Sequence, residues 1–301
     1  MKSFVCPVCD NRKHKFFLSI KEYSSYQCTK CSFIYIFPRP SETSLRSYYS
    51  RFDYKNIPFV EKRIKEDSQI SLDFINHYRG SRNSLLDLGC GRGYFLLEAA
   101  SKGWKGKGGD FSSKEVAYAT KKLNLDVVKS DILKYQDKNK YELIVLSQVI
   151  EHVRHPSELI KKTSSLLTEN GLLYIATPNI NSASAKIHGK NFEHLIPPEH
   201  LNYFNSQSLT YLLNHNGFRV IKWGTWGYPE NVSGIIKKLL RRGVENNAKT
   251  TDQGKGGQPQ IFQGTRDIKI FMFDKVFCTF IYKSLDLFNL GINLHVLAQK
   301  I

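Results

Sequence analysis

Between residues 84 and 177, short apolar bursts alternate with longer stretches in which apolar residues recur at helical spacing. Leu85-Leu86-Asp87-Leu88 reads as a strand, followed by the loop Gly89-Cys90-Gly91-Arg92-Gly93 and a helix through Ala100. A second strand ends in Gly108-Gly109-Asp110 and is poor in β-branched residues. A helix over 112–123 opens on Ser112 with Glu115 three residues on, the pattern of a capping box. Residues 126–128 form a third strand that ends near Asp131, 141–147 a fourth and 171–177 a fifth, with a helix over 156–167 between the last two. Such alternation predicts a parallel sheet with helices on both faces.

The flanks differ. Residues 1–40 read as a small module with two CxxC turns between short strands, ended by Pro38 and Pro40. Residues 41–80 read as helical: Ser41 is the N-cap of a first helix, and a second over 58–78 carries Val60, Ile64, Ile70, Phe74 and Ile75. Beyond residue 177, a loop-rich stretch over 178–205 precedes a helix over 207–216 and a strand over 218–223. Residues 244–267 are rich in Asn, Gln, Gly and Lys and predict a mobile loop. Residues 268–289 predict an amphipathic aromatic helix or helix pair, and 292–299 a last strand.

The 41% hydrophobic and 24% charged content of 301 residues supports a packed core and excludes wholesale disorder. No uncharged apolar run reaches the roughly 18 residues of a membrane span, and the first ten residues lack a signal-peptide core. A cytoplasmic protein is expected. Lys plus Arg number 44 and Asp plus Glu 27, a net charge of +17. Beyond solubility, that excess points to an anionic partner: a phosphorylated small molecule, a nucleic acid or an acidic lipid surface.

Four of the six cysteines lie in the first 31 residues as C-x2-C-x18-C-x2-C: Cys6, Cys9, Cys28 and Cys31. In a reducing compartment this spacing suits tetrahedral zinc, two thiolates from each turn, with no open position. The zinc is therefore read as structural.

The glycine loop is neither a Walker loop nor a good dinucleotide fingerprint. Its company is more telling. LLDLGCGRGYF, GGDFS, SDIL, LSQVIEHV and NGLLYIATPN, spread over residues 82–180, together resemble the S-adenosylmethionine-dependent class I methyltransferases. The resemblance implies an α/β Rossmann-like fold with a mostly parallel seven-stranded sheet. It places Gly89, Gly91 and Gly93 against the methionine moiety, with Asp87 at the base of their loop. It gives Asp110 the ribose, Phe111 a flank of the adenine, Asp131 and Ile132 the adenine edge, and Ser147 and Gln148 the neighbourhood of the transferable methyl. The ribbon followed by FPRPSETSLRSYYS resembles bacterial methyltransferases that act on sugars or other small metabolites. The organisation expected is a zinc ribbon over 1–40, a helical linker or lid over 41–80, and a methyltransferase domain over 81–301 with a helical insertion at about 228–290.

Glu151-His152 and Pro197-Pro198-Glu199-His200 resemble the ensemble of ubiquinone-type O-methyltransferases. O-methylation needs a hydroxyl deprotonated as the methyl arrives, so His152 and His200 are the candidate bases, with Glu151 beside them. Some relatives hold a divalent metal with Glu and His here; the RNA-end relatives carry Glu where this chain has Gln148, a weaker ligand. The turn SQVIEH also lacks the prolines and amide that hold a base's exocyclic amine in the adenine and cytosine N-methyltransferases. The basic run over 234–242 opens an amphipathic region, 232–290, that reads first as a lid and second as a peripheral membrane contact. The function expected is methylation of a small anionic acceptor, such as the hydroxyl of a nucleotide-linked sugar or surface-glycan precursor. An RNA methyltransferase and a catalytically inactive nucleic-acid or membrane-surface binding module are the alternatives.

Overall fold

A computed structural model describes residues 4–50, 58–228 and 278–301. The described residues of 1–178, 193–223 and 294–301 form one compact unit, and those of 179–192 and 224–293 a second.

The alternating segment folds as its pattern predicts. β4 (Ser84–Leu88), β5 (Lys105–Asp110), β6 (Val127–Lys129), β7 (Tyr141–Ser147) and β8 (Leu167–Pro178) join β10 (Phe218–Trp226) and β11 (Asn293–Lys300) in a seven-stranded sheet. Its order is β10-β11-β8-β7-β4-β5-β6. The pairings of β4 with β5 and β7, of β5 with β6 and of β7 with β8 are parallel. From β4 the chain moves outward through β5 and β6, then returns to place β7 on the other side of β4. That reversal makes the carboxyl ends of β4 and β7 the switch point of the sheet, the place where open α/β sheets bind ligands. Leu143, Ile144, Val145 and Leu146 are all fully buried, because both faces of a parallel sheet are covered.

The weak β-propensity of β5 has a packing cause. A Cβ at Gly106 would lie 2.8 Å from Leu96, one at Gly108 2.7 Å from the Cys90 sulfur, and one at Gly109 2.9 Å from Tyr135. Glycine lets neighbouring side chains press against the strand.

Helices α3 (Tyr94–Ser101), α4 (Ser113–Leu123), α5 (Pro156–Leu166) and α7 (Ser206–His215) lie between or after these strands, and α1 (Glu42–Ser50) and α2 (Pro58–Asn76) precede them. Ser112 caps α4, accepting from the Glu115 N–H at 3.4 Å. Only that half of the predicted capping box is seen: the Glu115 carboxylate pairs with Arg92 at 2.9 Å. The stretch over 178–205, expected to be loop-rich, contains the short helix α6 (Ala183–His188).

The amino-terminal cysteine segment builds a second sheet. β1 (His14–Ile20), β2 (Tyr23–Cys28) and β3 (Ile34–Ile36) are joined by β9 (Asn202–Tyr203), in the order β1-β2-β3-β9, every pairing antiparallel. The second CxxC turn links β2 to β3 as expected, whereas the first precedes β1 rather than lying between strands. Phe33 and Tyr35 share one apolar core with Leu86, Leu146 and Phe204.

Of the expected insertion at about 228–290, the helix α8 (Cys278–Leu287) is described. The basic run over 234–242 and the loop over 244–267 lie outside the described residues. Among the described residues no helix is long and apolar enough to cross a membrane.

Candidate functional site

The residues that follow β4, β5, β6 and β7 stand at the carboxyl end of the sheet. Gly89, Gly91 and Gly93 hold φ of +82°, +52° and +80°, a region costly for residues with a Cβ. Their surroundings differ. A Cβ at Gly89 would meet Val149 at 2.6 Å and one at Gly93 would meet Leu125 at 2.6 Å, whereas one at Gly91 would meet none of the described residues within 4 Å. Gly89 and Gly93 are thus required by packing, and Gly91 leaves room beside the backbone.

The Asp110 carboxylate is held edge-on. The Gly91 N–H donates to one oxygen at 2.9 Å and the Ser112 N–H to the other at 2.8 Å. Each oxygen keeps a lone pair for a further donor. Burial raises the Asp110 carboxyl above the usual range, and the two N–H donors pull against that rise. Burial, together with the nearby Asp110, pushes Asp87 up to about 8. Phe111, next in the chain, is 58% exposed. Asp131 accepts the Leu133 N–H at 3.0 Å and sets the turn after β6, while Ile132 packs against the core. Ser147 ends β7, and Gln148 follows in the left-handed region at φ +56°, its N–H bonded to the Ala176 carbonyl at 2.8 Å.

The second cluster follows at once. Glu151 is 1% exposed. One carboxylate oxygen accepts from the Thr177 hydroxyl at 3.0 Å; the other has no hydrogen-bond partner among the described residues and lies 3.8 Å from His152 Nε2. Burial pushes this carboxyl up to about 8. His152 Nδ1 lies 2.9 Å from the Glu199 carbonyl, and His200 Nδ1 lies 2.8 Å from the His194 carbonyl. A carbonyl only accepts, so both Nδ1 atoms carry the hydrogen and both Nε2 atoms the lone pair. The two rings meet edge to face, 4.7 Å between centroids, and His194 lies parallel to His200. Burial brings His152 and His194 down to about 4 and lowers His200 well below its usual value, helped there by its two histidine neighbours. The imidazoles are neutral at pH 7. One ligand atom from each of Glu151, His152 and His200 lies within 4.8 Å of the others, a spacing that could hold a metal ion.

The four cysteines converge as their spacing predicts. Sγ atoms of Cys6 and Cys31, Cys9 and Cys28, and Cys9 and Cys31 are 3.6, 3.5 and 3.5 Å apart. Zinc–sulfur bonds of about 2.3 Å in a tetrahedron separate sulfurs by roughly 3.8 Å, so the cluster fits the ion. The Lys30 N–H and the Asn11 amide each lie 3.4 Å from the Cys28 sulfur, donors suited to a thiolate.

A family profile described as a methyltransferase domain matches residues 60–222, more than half of the chain. The chain belongs to the methyltransferase domain family. Ubiquinone biosynthesis O-methyltransferase of Pelagibacter ubique is 36% identical over 102 residues, 32% of this chain and 42% of that one. Probable (S)-tetrahydroprotoberberine N-methyltransferase 2 of Papaver bracteatum is 32% identical over 101 residues, 31% of this chain and 28% of that one. The chain thus spans less than half the length of these curated relatives. Among solved structures, a SAM-dependent methyltransferase from Archaeoglobus fulgidus superposes with a TM-score of 0.52 at 19% identity, covering 86% of this chain and 100% of that one. Magnesium protoporphyrin IX methyltransferase from Synechocystis PCC 6803, solved with bound SAH, gives 0.50 at 14% identity over 86% of this chain and 95% of that one. These likenesses show the fold.

Within this methyltransferase domain, the predicted residues fall into two groups that follow successive strands, and residues not singled out in the sequence brace them. The Asn202 amide donates to the Ile150 and Val153 carbonyls at 2.8 and 2.7 Å and accepts from Arg39 at 2.8 Å. Arg39 also donates to the Val153 carbonyl at 3.1 Å. Arg39 stands in FPRP and Asn202 two residues after His200, but nothing in either segment signals that they meet. Glu199 likewise acts through its carbonyl on His152 and through its carboxylate on Tyr48, whose hydroxyl donates at 3.2 Å.

Proposed function

We propose that this protein is an S-adenosylmethionine-dependent methyltransferase acting on a hydroxyl of a small anionic acceptor, such as a nucleotide-linked sugar or surface-glycan precursor, and that its four cysteines hold a structural zinc ion. The observation that carries the cofactor reading is Asp110, buried at the end of β5 and clamped by the Gly91 and Ser112 N–H groups beside the one loop glycine with open space around it. That geometry presents a carboxylate to a pair of ribose hydroxyls, as in other nucleotide sites of doubly wound sheets. When bound, S-adenosylmethionine supplies an electrophilic methyl group. The chain does the rest: Phe111 offers a face to the adenine, Asp131 and Ile132 its edge, Gly89 to Gly93 a backbone cradle above Asp87, and Ser147 and Gln148 the rim nearest the acceptor.

The acceptor atom is argued from the histidines. A hydroxyl must lose its proton as it attacks, and His152 and His200 each present a neutral Nε2 lone pair at pH 7, locked by a carbonyl at Nδ1. Fixing acceptor and base in line contributes proximity, the larger part of such catalysis. The named relatives methylate oxygen in one case and nitrogen in another, so the choice of oxygen rests on this pair. Both act on small molecules, which supports a small acceptor over RNA. The net charge of +17 would attract a diphosphate.

A second reading is favoured by the unpartnered oxygen of Glu151: with His152 and His200 it would bind a divalent cation against the acceptor hydroxyl. Titration with Mn2+ followed by electron paramagnetic resonance separates the two, since a site that needs these three residues loses the bound signal in Glu151→Gln.

Calorimetric titration with S-adenosylmethionine tests the main reading. Micromolar binding that Asp110→Ala weakens at least a hundredfold is expected. A folded, zinc-loaded protein that binds no cofactor would move the inactive binding module to first place.

A further inference from the structure

Buried side-chain nitrogens and oxygens are nearly always hydrogen-bonded, and those that are not point to a partner of another kind, a water or an ion. Among the described residues eight such atoms have no partner, and six of them belong to four side chains: Nδ1 and Nε2 of His14, the Tyr35 hydroxyl, Nε and Nη1 of Arg39, and Nε of Arg154. The four are neighbours. The His14 and Tyr35 rings meet edge to face, 5.7 Å between centroids. Tyr35 lies in the field of Arg39, and Arg39 in that of Arg154. Burial, and then the repulsion of Arg154, bring the Arg39 guanidinium down to about 9. Its Nη2 is fixed, donating to the Val153 carbonyl at 3.1 Å and to Asn202 at 2.8 Å, and Arg154 is the next residue after Val153. Tyr35 and Cys6 favour the charged form of Arg39 through space, but neither bonds its Nε or Nη1. A zinc-loaded thiolate cluster would therefore offset charge here without accepting these hydrogens. Phe4 packs on His14 at 4.3 Å and on Phe37 at 4.5 Å, an apolar wall that strengthens electrostatic attraction beside it.

We propose that His14, Tyr35, Arg39 and Arg154 form a binding site for a tetrahedral oxyanion, a phosphoryl group or phosphate itself. The three guanidinium N–H groups can only donate, the phenol donates as well, and the imidazole carries at least one N–H in either tautomer. Water would accept these hydrogens but leave two like charges side by side against an apolar wall. An oxyanion answers both needs, and its several oxygens accept from more than one guanidinium at once. Two positive charges match the phosphate dianion better than the single charge of a carboxylate. The site adjoins the turn that carries Glu151 and His152, since Arg39 and Asn202 both bond the Val153 carbonyl, one residue after His152. A phosphoryl group of the acceptor and free phosphate offer the same chemistry. The site itself is independent of the methyltransferase reading; only its use by the acceptor rests on that reading.

The test is calorimetric titration of the full-length, zinc-loaded protein with inorganic phosphate in a phosphate-free buffer, with sodium chloride at matched ionic strength as the contrast. Saturable binding of phosphate and none of chloride is expected. Arg154→Gln should weaken it at least tenfold, the loss of a charge-assisted hydrogen bond, and Tyr35→Phe about threefold to tenfold, the loss of a neutral donor. Arg39→Gln would also release Val153 and Asn202, so these two milder variants carry the test. Phosphorus NMR of the bound phosphate then separates the sources. Its displacement by glucose 1-phosphate or UDP-glucose gives the site to the acceptor, its retention gives it to the free ion, and either result upholds the site. A folded protein that binds no phosphate overturns the proposal, as does phosphate affinity that neither variant changes. Zinc content is measured on the same samples: Arg154→Gln that loses zinc yet binds phosphate like the wild type makes the arginines counter-ions of the thiolates alone and overturns it too. Titration with S-adenosylmethionine keeps the two readings apart. Cofactor bound without phosphate overturns this site alone, whereas phosphate bound without cofactor overturns the methyltransferase reading alone.

Discussion

A methyl group at position 91 would enter open space, whereas one at position 89 would strike Val149 at 2.6 Å, though both glycines have positive φ. The two substitutions should therefore separate folding from binding. Gly89→Ala adds an overlap of the kind that costs about 1–3 kcal/mol to backbone strain of about 1 kcal/mol, and its melting temperature should fall by several degrees. Gly91→Ala bears the strain alone, but its Cβ occupies the proposed cradle, so cofactor affinity should drop at least tenfold by calorimetry while the melt moves little. Equal loss of stability in both would remove the cradle. The histidines give a second residue-scale test. His152→Ala with His200→Ala should lower kcat by about a hundred- to ten-thousandfold while S-adenosylmethionine binds within about twofold of wild type. Turnover unchanged in that double variant rules out the base assignment. Local sequence pattern reached most of these positions because each ends a strand of the alternating segment. It missed what depends on distant chain: Glu115 fits a capping box by spacing, yet its carboxylate is taken by Arg92, 23 residues away.

At the scale of elements, the cysteine ribbon is tied to the histidine cluster. β3 pairs with β9 through Ile34 with Tyr203 and Tyr35 with Asn202, and Asn202 stands two residues after His200. The Leu201 and Asn202 N–H groups both donate to the Glu151 carbonyl, at 2.8 and 3.1 Å. Sulfurs 3.5–3.6 Å apart without a cation would repel as thiolates, so loss of zinc should loosen β2 and β3 and, through β9, the loop that orients His200. Stripping zinc, or Cys28→Ser, should thus lower kcat at least tenfold with a smaller effect on cofactor affinity, since the loop after β4 lies on other strands. Zinc content by elemental analysis alongside turnover checks this; full turnover at zero zinc rejects the coupling. That the four cysteines come together was readable from spacing alone. The pairing of β3 with β9 was not, because a two-residue strand carries no periodicity and its partner lies more than 160 residues away. β5 was legible only as a weak strand, since its glycines answer to Leu96, Cys90 and Tyr135, contacts that the local pattern does not contain.

For the molecule as a whole, two sets of buried groups set the pH dependence of stability, with opposite signs. Asp87 and Glu151 are held up to about 8, and Asp286 to about 7, each chiefly by burial. The unfolded chain gives up these protons above about pH 4 while the folded chain keeps them, so each carboxyl removes stability as pH rises from about 4 towards its folded value. His152 and His194 are held down to about 4 and His295 to about 3, again by burial, with His200 also well below its usual value. The unfolded chain protonates them below about 6.5 while the folded chain does not, so each removes stability as pH falls from about 6.5. Asp110 and Glu199 are raised and His14 is lowered in the same way, so below 6.5 the histidines and the acids oppose each other. Above 6.5 the acids act alone, at up to about 1.4 kcal/mol per group per pH unit until each ionises. Stability of the zinc-loaded, cofactor-free protein should therefore change little below pH 6.5 and fall between pH 6.5 and 8.5, as melting temperatures across pH 5.5–8.5 would show. Asp87→Asn removes one acid and keeps its shape, so its advantage over wild type should grow between pH 6.5 and 8. A wild-type melting temperature that keeps rising through pH 8 would mean that these carboxyls ionise inside the fold at ordinary pH, and Asp110 would then face a second negative charge at the base of the glycine loop.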